Sequence, residues 1–168
     1  MDWTPKARRF WPLFALVLLT DCATKRAAEL HLVPAQVPHE FIGEIVRLTL
    51  AYNPGAAMSL SLGAHSRVGF SLLAVAALLV MAHLYHRTAP GDRQAAAGLA
   101  LIAAGAVGNL LDRLRSERGV VDFIDVGLGP WRFWTFNVAD VAILIGAVVL
   151  VLALQRMEAS EPPPLNTR

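Results

Sequence analysis

The sequence predicts an all-α polytopic membrane protein with four transmembrane helices. Three observations carry that expectation: an excess of apolar residues, four apolar segments each long enough to cross a bilayer, and basic residues placed near alternate ends of them. Of the 168 residues, 55% are hydrophobic and only 17% are charged, where soluble domains carry about 25% charged residues. Mean hydropathy is +0.49. Lipid contact explains this excess better than a large soluble core, and the length leaves no room for a separate soluble domain.

The first segment covers about 10–28 and holds the block Phe14-Ala-Leu-Val-Leu-Leu19. The second covers about 68–85, the third about 94–111 and the fourth about 138–154. Each approaches the ~20 residues needed to cross a hydrocarbon core of ~30 Å. In lipid their backbone polar groups must be satisfied within the segment, so each is read as a helix. The third carries Gly98, Gly105 and Gly108 among alanines. Small residues let helix backbones approach closely, which predicts a central position for this helix.

Lys6, Arg8 and Arg9 precede the first segment, Arg87 and Arg93 lie between the second and third, and Arg156 follows the fourth. The positive-inside rule puts these regions, and both termini, in the cytoplasm. The connections 31–67 and 113–137 then face outwards. In the first of them, Glu44 to Tyr52 partly alternates and is rich in β-formers, which predicts a short strand. Asn53-Pro-Gly55 follows as a turn. In the second, Trp131, Phe133 and Trp134 suit an interfacial aromatic belt. Residues 1–157 form one membrane domain, and the proline-rich segment 158–168 is expected to be a disordered cytoplasmic tail. Leu19-Thr-Asp-Cys22 loosely matches a lipobox, but Asp21 stands where a small residue is usual, so the first segment is read as a retained helix.

Net charge is +2 and the pI is about 9.1, with no basic stripe of the kind that binds nucleic acid. Cys22 is the only cysteine, which excludes an intrachain disulfide. His83 and His86, near Asp92, lie at the cytoplasmic end of the second segment and read as surface residues rather than metal ligands.

A charged side chain at the bilayer centre costs about 3 kcal/mol, so ionisable residues in or beside lipid need a reason. Asp21 and Lys25 are spaced i, i+4 and can form an ion pair on one helix face, a structural role. Asn109, Asp112 and Arg113 share a face at the end of the third helix. Asp112 reads as the structural neighbour of Arg113, whose planar fork can hold a carbonyl or an anion. Asp122 sits between Val121 and Phe123, where desolvation favours the protonated acid, while Asp125 reads as a solvated carboxylate. Asn137 and Asp140 fit an N-cap and a capping-box acid at the start of the fourth helix. Asp122 and Asp140 are two acids at the outer edge of one small bundle. Two carboxylates sharing one proton can activate a water and protonate a carbonyl oxygen.

Five stretches in this order resemble the lipoprotein (type II) signal peptidases: Asp21-Cys-Ala-Thr-Lys25, Asn53-Pro-Gly-Ala-Ala57, Gly108-Asn-Leu-Leu-Asp-Arg113, Val120-Val-Asp-Phe123 and Phe136-Asn-Val-Ala-Asp140. The resemblance covers nearly the whole chain apart from the tail. It implies four helices with a small extracytoplasmic β-cradle, supplied in part by 45–61, and a loop helix over the site. It implies an intramembrane aspartyl endopeptidase with Asp122 and Asp140 as catalytic pair. Substrate-binding positions would be Asn53, Gly55, Asn109, Arg113 and Asn137, with Asp21, Lys25 and Asp112 structural. The implied substrate is a diacylglyceryl prolipoprotein, cut before its lipidated cysteine. Aspartyl chemistry needs no cofactor and no metal, and the chain is expected to be a monomer in contact with membrane lipids. Pro54, Met58 and Cys22 depart from the residues most frequent in the family, Thr, Phe and Gln. The Asp140 position at a helix N-terminus favours its ionised form, leaving Asp122 protonated. A small transporter or proton relay using the same acids, and a non-catalytic scaffold, are the alternatives.

Overall fold

The computed structural model describes residues 3–55 and 63–160. The segment 56–62, which includes Ala57, Met58 and the end of the implied cradle segment 45–61, lies outside the described residues, as do 1–2 and 161–168. Four long helices cover the four apolar segments: α1 (Pro5–His31), α2 (Ser66–Arg87), α3 (Arg93–Arg115) and α4 (Val138–Ser160). The chain also forms β1 (Pro38–Ile42), β2 (Val46–Asn53), β3 (Val120–Leu128) and β4 (Trp131–Arg132).

Helix α1 opens on Thr4, whose hydroxyl accepts from the Ala7 amide at 3.3 Å, with Pro5 in the first turn, where its missing N–H costs nothing. Among the described residues, α2, α3 and α4 are long and apolar enough to cross a membrane. Helix α1 has the length, but the charges at its start (Lys6, Arg8, Arg9) and in its second half (Asp21, Lys25, Arg26) leave it outside that set. The structure therefore supports a mostly helical protein with three such helices and a small antiparallel sheet, one fewer than the four apolar segments predict.

Helix α3 is the centre of the bundle. Leu99, Ala100 and Ala104 on it are fully buried, whereas Ser66 is the one buried residue of α2. A Cβ on Gly98 would lie 2.9 Å from the Gly146 carbonyl oxygen of α4, and one on Gly105 would overlap the Ala139 carbonyl. The α3–α4 contact thus needs glycine at both positions.

The sheet runs in the order β1-β2-β3-β4, all antiparallel. β2 was foreseen within two residues at its start, whereas β1, β3 and β4 were not. Leu50, Val121 and Phe123 pack with Ala28 of α1 and with Leu32, which caps it, and this seats the sheet on one end of the bundle. Gly119 enters β3 at φ +93, where any side chain would run into the Asn53 carbonyl. The register then sets Asn53 opposite Val120 and Ala51 opposite Asp122. At the other end of the bundle, Lys6 Nζ donates to the carbonyls of Tyr85 and Thr88, and Arg156 donates to Gln94 at 2.6 Å. The start of α1, the end of α2, the start of α3 and the end of α4 therefore meet there.

Candidate active site

Asp122 comes from β3 and Asp140 from the first turn of α4. Phe136 brings the two elements together: its carbonyl accepts from the amides of Phe123 and Ile124, and its own amide donates to Ile124. Asn137 follows directly. Its Oδ1 accepts from the Asp140 amide at 3.0 Å, and Asp140 Oδ2 accepts from the Asn137 amide at 3.1 Å. That is a reciprocal capping box. With its oxygen committed to the cap, the Asn137 amide NH2 faces inwards. It donates to Asp122 Oδ1 at 2.7 Å and to Asn109 Oδ1 at 3.1 Å. Asn137 is fully buried, and it bonds both carboxylate-bearing segments.

Asn109, on α3, is oriented from below. Its Oδ1 accepts from Lys25 Nζ at 2.8 Å. An ammonium only donates, so the Asn109 oxygen must face Lys25 and its NH2 must face away. That NH2 donates to Asp140 Oδ1 at 2.8 Å. Lys25 completes its three donations with Asp21 at 2.8 Å and Asp112 at 2.9 Å. Asp21 Oδ1 also accepts from the Ala139 amide at 2.9 Å, so a carboxylate on α1 caps α4. A buried charge is tolerable only when paired and hydrogen-bonded, and this cluster meets that condition.

Asp112 does not pair with its neighbour Arg113. Its Oδ2 takes Lys25 and the Val121 amide, the latter at 3.3 Å. Arg113 turns the other way, donating to the Gly55 carbonyl at 2.9 Å and the Asn109 carbonyl at 3.1 Å. Asn53 donates to Asp122 Oδ2 at 3.3 Å and accepts from the Gly55 amide at 3.0 Å. The ten residues singled out in the sequence therefore lie in one connected polar network. Asp125 is not solvated as expected: it pairs with Arg132 at 2.9 Å and accepts from Thr49.

Asn53, Asn109, Arg113, Asp122 and Asp140 line a cleft of about 30 Å³. One water needs roughly 10–15 Å³ of such space, so the cleft admits a water between polar partners. Val120, Trp134 and Thr135 complete the lining. The sequence reading missed Thr135 and put Trp134 in an aromatic belt; their position just before Asn137 was the available signal. Asp122 is buried. Desolvation first, and then the neighbouring Asp140 carboxylate, push its carboxyl up to about 7, against hydrogen bonds from Asn137 and Asn53. The cleft offers two carboxylates of unlike environment, amide donors and space for water, an arrangement capable of acid–base hydrolysis. Among the described residues no group of His, Cys, Asp and Glu side chains could hold a metal ion.

Residues 13–156 match the family model for signal peptidase (SPase) II. The chain is 35% identical to a lipoprotein signal peptidase of Coxiella burnetii (strain Dugway 5J108-111), over 95% of this chain and 99% of that protein. It is 40% identical to a lipoprotein signal peptidase of Paraburkholderia phytofirmans, over 86% of this chain and 84% of that protein. A solved structure described as a bacterial membrane enzyme, determined by the in meso method at 2.3 Å resolution, shares the fold with a TM-score of 0.78. It covers 90% of both chains at 24% identity. By the extent of the family match and the identity to these relatives, the chain belongs to the signal peptidase II family of proteases.

Proposed function

We propose that this protein is the aspartyl endopeptidase that removes the signal peptide from diacylglyceryl-modified prolipoproteins, with Asp122 and Asp140 as its catalytic pair. Its relatives are lipoprotein signal peptidases, and nothing in the comparisons favours a transporter. The observation that carries the assignment is Asn137, whose side-chain NH2 donates to Asp122 and whose backbone N–H donates to Asp140 in the capping box, beside a cleft of water size.

In this reading Asp140 is the base and Asp122 the acid. Asp140 takes a proton from the water as its oxygen attacks the carbonyl carbon preceding the lipidated cysteine. Asp122 gives its proton to the carbonyl oxygen. Collapse of the tetrahedral intermediate breaks the C–N bond. The proton on Asp140 passes to the cysteine nitrogen as it leaves, and Asp122 recovers its proton from the intermediate's hydroxyl. The raised Asp122 carboxyl supports this division of labour. Asn53 and Gly55, braced by Arg113, would face the extended peptide, with Asn109 and Asn137 orienting the acids.

α1 acts as a fourth span, its Asp21–Lys25–Asp112 cluster shielded inside the bundle. Both termini are cytoplasmic, and the site lies near the outer face of the bacterial inner membrane, where a signal helix and diacylglyceryl tails reach it from lipid. The enzyme works as a monomer without a cofactor.

The test is incubation of the purified protein with a diacylglyceryl prolipoprotein and with its unlipidated precursor. Release of the signal peptide from the lipidated form, leaving lipidated cysteine as the new N-terminus, is the expected result. Cleavage elsewhere in the chain, or none, would refute the proposal.

A further inference from the structure

The end of the bundle remote from Asp122 carries a polar feature that the proposed reaction does not use. Pro5, Arg8 and Arg9 at the start of α1 and Arg93 at the start of α3 line a cleft of about 300 Å³. The three arginines are exposed, and among the described residues their guanidinium groups have no ion-pair or hydrogen-bond partner. Arg26, Arg67, Arg118 and Arg132 each have an acidic partner instead.

Neither α1 nor α3 has an acid in its first turn. Asp92, the N-cap of α3, is committed to the Ala95 amide and lines the adjoining apolar groove with Leu84 and Leu150 rather than this cleft. The cleft is braced, because Lys6 is held by the Tyr85 and Thr88 carbonyls and its amide donates to Pro90 at 3.0 Å.

We propose that this cleft binds the phosphate of an anionic phospholipid headgroup. Guanidinium groups match phosphate oxygens in bidentate geometry, and basic pockets between membrane helices suit anionic headgroups. Trp3, just before α1, and Trp11, on it, are both about half exposed and lie on either side of Arg8 and Arg9 in the chain. Exposed tryptophans mark the headgroup level of a bilayer, which argues for a lipid phosphate over a soluble one. Arg9 lies twelve positions before Asp21, about 18 Å along the helix, so the cleft is separate from the candidate active site.

The test measures the thermal unfolding midpoint of the detergent-solubilised protein against added phosphatidylglycerol, phosphatidylcholine or inorganic phosphate. Native mass spectrometry of retained lipid gives a second readout. Phosphatidylglycerol should raise the midpoint and remain bound, with little response to the other two. The double variant Arg8→Gln/Arg93→Gln should bind phosphatidylglycerol roughly ten- to thirty-fold more weakly, from the two charges lost. Arg87→Gln, at the same end but outside the cleft, should behave as the parent. An equal response to phosphatidylcholine, an equal response to inorganic phosphate, or an equal loss in Arg87→Gln would each overturn the proposal.

Discussion

Asn137 can be read as the residue that fixes what Asp122 and Asp140 present to a substrate. Its oxygen is spent on the Asp140 amide, so its NH2 is forced towards Asp122. Asn137→Ala should lower kcat on the order of 10²-fold, since small displacements of reacting groups carry penalties of that size, with KM less affected. Titration gives a second prediction. If Asp122 must be protonated, kcat/KM should fall by one proton's worth as pH rises through about 7. The same carboxyl is raised above its ordinary value of 3.8, so the folded state holds more protons than the unfolded state between those values. Stability should therefore decrease as pH rises from about 3.8 to about 7. Unfolding measured at pH 5 and pH 8 checks the sign, and Asp122→Asn should flatten the difference. The parts of this network legible in the sequence are local. Asp21–Lys25 and Asn137–Asp140 follow from spacings of four and three along a helix. Asn53 to Asp122 and Lys25 to Asp112 join residues far apart in the chain, and no spacing rule reaches them. Asp112 was misjudged for that reason: adjacency suggested Arg113, but the buried ammonium of Lys25 offered the stronger partner.

At the scale of elements, α3 and α4 meet backbone to backbone, and α1 closes over the start of α4 through Asp21. Gly105→Ala would press a methyl into the Ala139 carbonyl. Such overpacking costs about 1–3 kcal/mol, and a lowered unfolding midpoint in detergent is the readout. Asp21→Ala removes one partner of a buried ammonium and the cap on Ala139. Breaking a buried pair in this way costs about 3–5 kcal/mol, so folded protein should fall sharply. The glycine pattern made the central place of α3 legible, and β2 was legible from its β-formers. β3 was not, because Val120, Val121, Asp122 and Phe123 are all buried and leave no alternation to read. β1 was not, because all five of its residues are exposed and its pairing with β2 supplies the order.

For the whole molecule, the proposed topology sets the sheet and the candidate site at one membrane face and the termini at the other. In a Cys22→Ala background, Glu44→Cys should react with a membrane-impermeant thiol reagent in intact spheroplasts. Gly91→Cys should react only after the membrane is opened; the reverse pattern would invert the topology. The fold class was legible because lipid imposes length and hydropathy on each helix. The polar stretch of α1 departs from that pattern, and its Asp21 and Lys25 are paired with each other and with Asp112 inside the bundle. The central claim is that Asp122 and Asp140 together perform the hydrolysis. The most direct measurement compares cleavage of a diacylglyceryl prolipoprotein by the parent protein, Asp122→Asn and Asp140→Asn, each verified as folded by its unfolding transition. Cleavage by the parent and none by either folded variant is the predicted result, and retained cleavage in either one would contradict it.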